Sequence, residues 1–194
     1  YYIFGNVGTT VLHVAFQVAS IITTTGFSSV DFDLWPEFSR EILLLLMFIG
    51  ACAGSTGGGI KVSRIVILGK SVLKELAFLV HPRNVRKIRF EGKLVEHETQ
   101  RSINVFLVAY LAIFVTSVLL ISLDNFDGVT NFSAVASAIN NIGPGLNLVG
   151  PVRNFSIFSN FSKLVLTFDM LAGRLEIFPM LVLMLKIRGR KRWN

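Results

Sequence analysis

Two ten-residue strings carry residue types from which an ion-coordinating site could be built. Val18-Ala19-Ser20-Ile21-Ile22-Thr23-Thr24-Thr25-Gly26-Phe27 aligns with Val135-Ala136-Ser137-Ala138-Ile139-Asn140-Asn141-Ile142-Gly143-Pro144 at a constant offset of 117 residues. Val-Ala-Ser coincides, Ile22 meets Ile139, Thr23-Thr24 meets Asn140-Asn141, and Gly26 falls on Gly143. The chemistry these strings can do is coordination by backbone. A short helix that ends inside a membrane points its partially negative carbonyl end at the interior, which favours a cation there. An extended stretch after it can turn carbonyls inward to replace an ion's hydration shell. Glycine supplies the φ values this requires. A closed ring of carbonyls needs about four such loops. This chain supplies two, so the other two are expected from upstream sequence or another chain.

Other chemistries fit poorly. The single cysteine, Cys52, permits neither a disulfide nor a cysteine metal cluster and reads as a small apolar residue. The histidines are scattered: His13 reads as packed, His81 and His97 as solvated. No nucleophile–base pair stands out, so no catalysis and no covalent cofactor are expected. The loop Gly54-Ser55-Thr56-Gly57-Gly58-Gly59 has the glycine spacing of a phosphate-binding loop. Ile60, however, occupies the place of the obligatory lysine, Lys61 comes one position late, and an apolar helix precedes it instead of a strand. Two cations lie near apolar stretches. Arg174 is either a positive barrier in a permeation path or half of an ion pair with Asp169 or Glu176. Lys61 either joins that barrier or caps a broken helix.

The elements that must position these residues are membrane elements. Of 194 residues, 52% are hydrophobic and 16% charged, against about 25% charged in soluble domains. Mean hydropathy is +0.62. These values exclude a disordered tail and argue against a water-soluble globule. Residues 102–123 form 22 uncharged positions, enough to span the hydrocarbon core. The apolar run 42–80 is too long for one crossing, and its glycines break it into helices over 36–53 and 60–80. Irregular backbone at that depth must line a cavity or be buried in protein. Segments 7–22 and 131–140 are too short to span and suit re-entrant helices. A last long helix is expected over 156–186.

The charges set the orientation. Arg83, Arg86, Lys87, Arg89, Lys93 and Arg101 cluster in one stretch, and Lys186, Arg188, Arg190, Lys191 and Arg192 in another. The positive-inside rule makes 81–101 and the C-terminus cytoplasmic, and the acidic or mixed stretches 28–41 and 124–130 external. The net charge of +7 therefore reports topology, not nucleic-acid binding. The expected fold is an all-α integral membrane protein built of helix–re-entrant pore loop–helix repeats. Residues 1–80 read as a repeat lacking its first helix, 81–101 as a basic linker, and 102–194 as a complete repeat. The chain starts on apolar Tyr1-Tyr2-Ile3-Phe4 with no methionine, and reads as a piece of a longer protein.

Thr24-Thr25-Gly26-Phe27 and Asn141-Ile142-Gly143-Pro144-Gly145 resemble degenerate potassium-channel filters. With Gly50-Ala51-Cys52-Ala53-Gly54-Ser55-Thr56-Gly57-Gly58-Gly59-Ile60-Lys61 and Ala172-Gly173-Arg174-Leu175-Glu176-Ile177-Phe178, the whole chain resembles the C-terminal half of the TrkH/TrkG type in the Trk/Ktr/HKT superfamily. The resemblance implies potassium uptake through a carbonyl-lined filter formed by Thr23, Thr24, Thr25, Gly26 and Phe27 with Asn141, Ile142, Gly143, Pro144 and Gly145. Potassium would be held at Thr24, Thr25, Asn141 and Ile142. It implies an obstructing loop, Gly54 to Gly59, and a pore arginine, Arg174. It implies a multi-pass protein of the bacterial inner membrane that dimerises with itself. It also implies a cytoplasmic nucleotide-binding partner of the TrkA kind. The basic tail departs from the family pattern. The residues alone leave three rivals: a sodium-coupled transporter of the same superfamily, a membrane nucleotide-binding subunit, and a purely structural subunit.

Overall fold

The computed structural model describes residues 5–50, 58–81 and 88–175. Several helices begin where the sequence supplies a cap. Asn6 accepts the Gly8 N–H (3.0 Å) and opens α1, Val7–Ile22. Asp127 accepts the Thr130 N–H (3.0 Å) and opens α5, Gly128–Ile139. Ser159 accepts the Ser162 N–H (3.2 Å) and opens α6, Asn160–Arg174. Each side chain satisfies a donor that the first helical turn leaves without a partner. Between them lie α2 (Glu37–Phe48), α3 (Val62–Val80) and α4 (His97–Ile121).

Within the described residues the helices fall where expected, with shifted ends; the expected continuation of the last helix from 176 to 186 lies outside them. α1 occupies the expected 7–22. α4 starts at His97, ahead of residue 102, because the uncharged run marks the apolar middle of the helix and not its end. α5 starts three residues early at its Asp127 cap, and α6 starts at Asn160 because Asn154 and Phe155–Ile157 form a capped 3-10 turn first. α2 stops at Phe48, short of residue 53. The reason is a parallel bridge: β1, Ile49–Gly50, pairs with β2, Ile60–Lys61, in the register Ile49 to Ile60 and Gly50 to Lys61. The two sides of the break in the apolar run are therefore joined edge to edge. A second pair, β3 (Arg89–Phe90) and β4 (Lys93–Leu94), lies in the segment read as a linker. Its two-residue turn has positive φ at both Glu91 (49°) and Gly92 (77°), the requirement of a type I′ hairpin.

Length separates the helices. At about 1.5 Å per residue α4 reaches roughly 37 Å. It is the helix, among the described residues, long and apolar enough to cross a membrane. α1 and α5 reach only about 24 and 18 Å, short of a hydrocarbon core of about 30 Å. α5 sits in the middle, packed against α2, α4 and α6. Every residue from Thr130 to Asn140 except Phe132 is buried. Phe48 of α2, Phe114 of α4 and Phe132 of α5 close one side of it, with ring centroids 5.0–5.9 Å apart. α1, its repeat counterpart, instead exposes Val7, Val11, Leu12, Val14 and Phe16. α4 exposes Val105, Val108, Leu111, Val115 and Leu119. Apolar faces of this extent suit lipid or further protein and not water.

Candidate ion-coordinating site

The two repeated strings end their helices with the same pair of capping bonds. After α1 the Thr24 N–H bonds the Ile21 carbonyl (3.0 Å) and the Thr25 N–H bonds the Ser20 carbonyl (2.9 Å). After α5 the Asn141 N–H bonds the Ala138 carbonyl (3.0 Å) and the Ile142 N–H bonds the Ser137 carbonyl (3.0 Å). This pair of bonds is the Schellman motif, which turns the chain sharply off a helix end. The motif demands a left-handed residue, and here those residues are Thr24 (φ 55°) and Asn141 (φ 54°) instead of glycine. Two positions on, Gly26 (φ 79°) and Gly143 (φ 116°) are again positive. Backbone that keeps changing hand in this way is how neighbouring carbonyls come to face one side.

The loops meet each other at Gly26. A Cβ built on Gly26 would overlap the Ile142 carbonyl oxygen and lie 3.2 Å from its carbon. Gly143 has more room, the Gly26 Cα standing 3.9 Å from its would-be Cβ. Each loop is also backed by a glycine of the following element. Gly50 stands behind α1, a Cβ there falling 3.4 Å from the Ile22 carbonyl oxygen and 3.6 Å from the Thr24 methyl. Gly173 stands behind α5, where a Cβ would overlap the Ile139 carbonyl and lie 2.9 Å from Asn141 Nδ2. Ile22 and Ile139 are repeat partners, so the backing is repeated with the loops.

Hydrogen bonds hold the loops from within their helices. Ser20 Oγ donates to the Phe27 carbonyl (2.6 Å), and its repeat partner Ser137 accepts the Gly143 N–H (3.1 Å). Thr23 Oγ1 bonds back to the Ala19 carbonyl (2.7 Å) and contacts Thr25 Oγ1 (2.7 Å). The Thr23 and Thr25 hydroxyls thus serve the helix end. Asn141 Nδ2 donates to the Met170 carbonyl of α6 (3.0 Å). Asn140 is fully buried; its Oδ1 accepts from Tyr110 of α4 (2.9 Å) and its Nδ2 donates to Ala136 (2.8 Å). At the outer ends the loops are tied together. Asp33 accepts the Asn147 N–H (3.0 Å), and Asn147 Nδ2 donates to Asp127 (2.9 Å). Burial pushes the Asp33 carboxyl above its ordinary value, against the pull of that backbone bond. Burial also pushes on Asp127, but bonds from Thr130 and Asn147 outweigh it and hold this carboxyl low.

Of the expected gate, Gly54, Ser55, Thr56 and Gly57 lie outside the described residues. Gly58 and Gly59 lie against Asn140 at the end of α5. A Cβ on Gly58 would come within 2.6 Å of the Asn140 carbonyl carbon, and one on Gly59 within 3.0 Å of Asn140 Oδ1. Lys61 is half-buried at the start of α3, where its side chain makes no capping bond to the helix. Arg174 is exposed at the last turn of α6. Its candidate partner Asp169 is fully buried and bonded to Ser117 of α4 (2.7 Å), and Glu176 lies outside the described residues. Phe27 is exposed, Pro144 half-buried and Gly145 buried against Ser133 and Val149. His13 is half-buried, 3.0 Å from Ser29 Oγ, while His81 and His97 are exposed. Sequence reasoning passes over Ser20, Ser137, Asn140 and Gly173 as working parts. A signal for the two serines exists, since both stand in the identical Val-Ala-Ser.

Comparison with known proteins gives this geometry its family. The family model TrkH, described as "Cation transport protein", matches residues 5–193. The chain is similar to the Trk system potassium uptake protein TrkH of Salmonella typhimurium, at 40% identity over 181 residues, covering 93% of this chain and 37% of that protein. It is similar to TrkH of Vibrio parahaemolyticus, at 43% identity over 169 residues, covering 87% and 34%. The Trk system potassium uptake protein TrkG of Escherichia coli is 34% identical over 172 residues, covering 89% and 35%. The fold matches the crystal structure of the potassium transporter TrkH from Vibrio parahaemolyticus with a TM-score of 0.84 at 40% identity, covering 93% of this chain and 38% of that one. The chain thus spans under two fifths of the length of these proteins.

Proposed function

The chain belongs to the TrkH family of cation transport proteins, and from that premise we propose that it forms half of a potassium-uptake pore, with its two glycine-bearing loops as two quarters of the selectivity filter. The observation that carries this reading is the pair of identical helix-end caps at positions 117 residues apart, facing each other at Gly26 and Ile142. Two equivalent loops in contact are what a pseudo-fourfold ring requires of half its members. The filter is Thr23 to Phe27 with Asn141 to Gly145, and the carbonyls of Thr24, Thr25, Asn141 and Ile142 coordinate potassium. α1 and α5 aim their carbonyl ends at it, adding partial negative charge where the ion sheds water. Potassium is cargo, so no bond is made or broken.

Gating belongs to Gly54–Gly59 with Lys61 and Arg174. The packing of Gly58 and Gly59 against Asn140 supports a loop lodged under the filter. A positive charge on Arg174 repels a cation below the filter until the gate rearranges. The protein is a multi-pass protein of the bacterial inner membrane with the basic ends cytoplasmic, forms a homodimer, and meets a cytoplasmic nucleotide-binding regulator of the TrkA kind. The deciding experiment measures potassium uptake by the full-length protein in cells lacking other uptake systems. Replacement of Gly26 is expected to erode the preference for potassium over sodium; an unchanged preference refutes the filter assignment. Arg174→Ala is expected to give faster or leakier flux, and slower flux counts against the barrier.

A further inference from the structure

Asp169 stands in the middle of α6 with no solvent exposure, and Ser117 of α4 is nearly as buried. Ser117 Oγ donates to Asp169 Oδ1 at 2.7 Å, while Oδ2 has no hydrogen-bond partner among the described residues. An acidic side chain inside a packed helix pair is costly unless it is bonded. Here one hydroxyl provides the bond, and it ties α6 to α4. The next turn of α6 backs the second filter loop. Met170 offers its carbonyl to Asn141 Nδ2, and Gly173 presses on the Ile139 carbonyl. The tie therefore lies one residue before the strut that holds Asn141. In the other repeat, Leu46 stands four residues before Gly50, as Asp169 stands four before Gly173. The arrangement thus marks one loop and not the other.

We propose that Asp169, held by Ser117, is a positioning residue that sets the stance of α6 behind Asn141 and thereby tunes ion preference in the second filter loop. The inference rests on the filter reading of the two loops. It is a role for a hydrogen bond, not for a charge. Asparagine at 169 keeps an oxygen to accept from Ser117 and preserves the stance. Leucine at 169, or alanine at 117, removes the tie and lets α6 shift, so the Met170 carbonyl leaves Asn141.

The test uses the full-length protein in cells lacking other potassium uptake, reading rubidium uptake against sodium competition at equal amounts in the membrane. Asp169→Asn is expected to keep the wild-type preference within about twofold. Ser117→Ala and Asp169→Leu are expected to lower it by about tenfold, the scale of one buried hydrogen bond. The double variant Ser117→Ala with Asp169→Leu leaves no polar group stranded and so keeps the protein in the membrane. It is expected to show the same loss. Unchanged preference in the double variant overturns the proposal, provided that Gly26→Ala in the same assay does alter preference. If Gly26→Ala also changes nothing, the filter reading falls and takes this inference with it. Equal loss in Asp169→Asn and Asp169→Leu overturns the hydrogen-bond role.

Discussion

Gly26→Ala and Gly143→Ala remove repeat-equivalent glycines, yet the structure gives them different consequences. Both positions have positive φ, 79° and 116°, so alanine at either costs about 1–3 kcal/mol of backbone strain. Only at Gly26 is the new methyl group also blocked by backbone. It would overlap the Ile142 carbonyl oxygen with the carbon at 3.2 Å, whereas at Gly143 the nearest atom is 3.9 Å away. The Ile142 carbonyl cannot swing aside as a side chain could, because the Ile142 N–H is bonded to Ser137 and Asn141 to Met170. Relieving the overlap means separating the two loops. Overpacking of this kind costs about 1–3 kcal/mol beyond the shared strain, which is roughly 5- to 150-fold in the population of the native loop pair. Potassium uptake with sodium competition is therefore expected to suffer at least about fivefold more from Gly26→Ala than from Gly143→Ala. Thermal unfolding in detergent should fall in the same order. Equal effects, or a greater effect at Gly143, would refute the claim that the loops touch at Gly26.

Single side chains set three further outcomes. Asp127 is held low by its hydrogen bonds, so it contributes stability that is present above its unfolded value near 3.8 and is lost as pH falls through the lower folded value. The unfolding temperature of the wild type should therefore drop below about pH 4, and Asp127→Asn should shrink that drop, Asp124 keeping its own share. Tyr110→Phe strands the buried Asn140 Oδ1 and should cost about 1–3 kcal/mol in denaturation without reversing ion preference. Thr24→Gly relieves a β-branched residue at φ 55° and should raise stability by about 0.5–1 kcal/mol; a loss instead would show that the threonine side chain is needed at the cap.

What could be read from the sequence is what depends on neighbours in the chain. The span of α1 follows from its apolar run and the Asn6 cap, and the equivalence of Gly26 and Gly143 from simple alignment. The end of α2 at Phe48 could not be read, because Ile49 and Gly50 are drawn into a bridge with residues beyond the break. Nearness along the helix makes Asp169 an ion-pair candidate for Arg174. The fold instead presents it to Ser117, 52 positions earlier in the chain. Gly173 opens the Gly-Arg-Leu-Glu motif, yet its task is set by the Ile139 carbonyl, which only tertiary packing brings there. Local signals determine where elements form, while the partners of buried polar groups and backing glycines are decided between elements.

The contacts around the two loops are largely backbone on backbone: Gly26 on Ile142, Gly58 on Asn140, Gly173 on Ile139. A carbonyl is the same in every amino acid, so point mutation cannot rewrite such a surface directly. Apart from the glycines themselves, variation acts on what presses from behind, such as the serines inside α1 and α5, Tyr110 behind Asn140, and the side chains that seat α6. If the two loops line the ion path as proposed, heritable change in ion preference would then accumulate in the packing behind them, while the glycines at their contacts stay fixed.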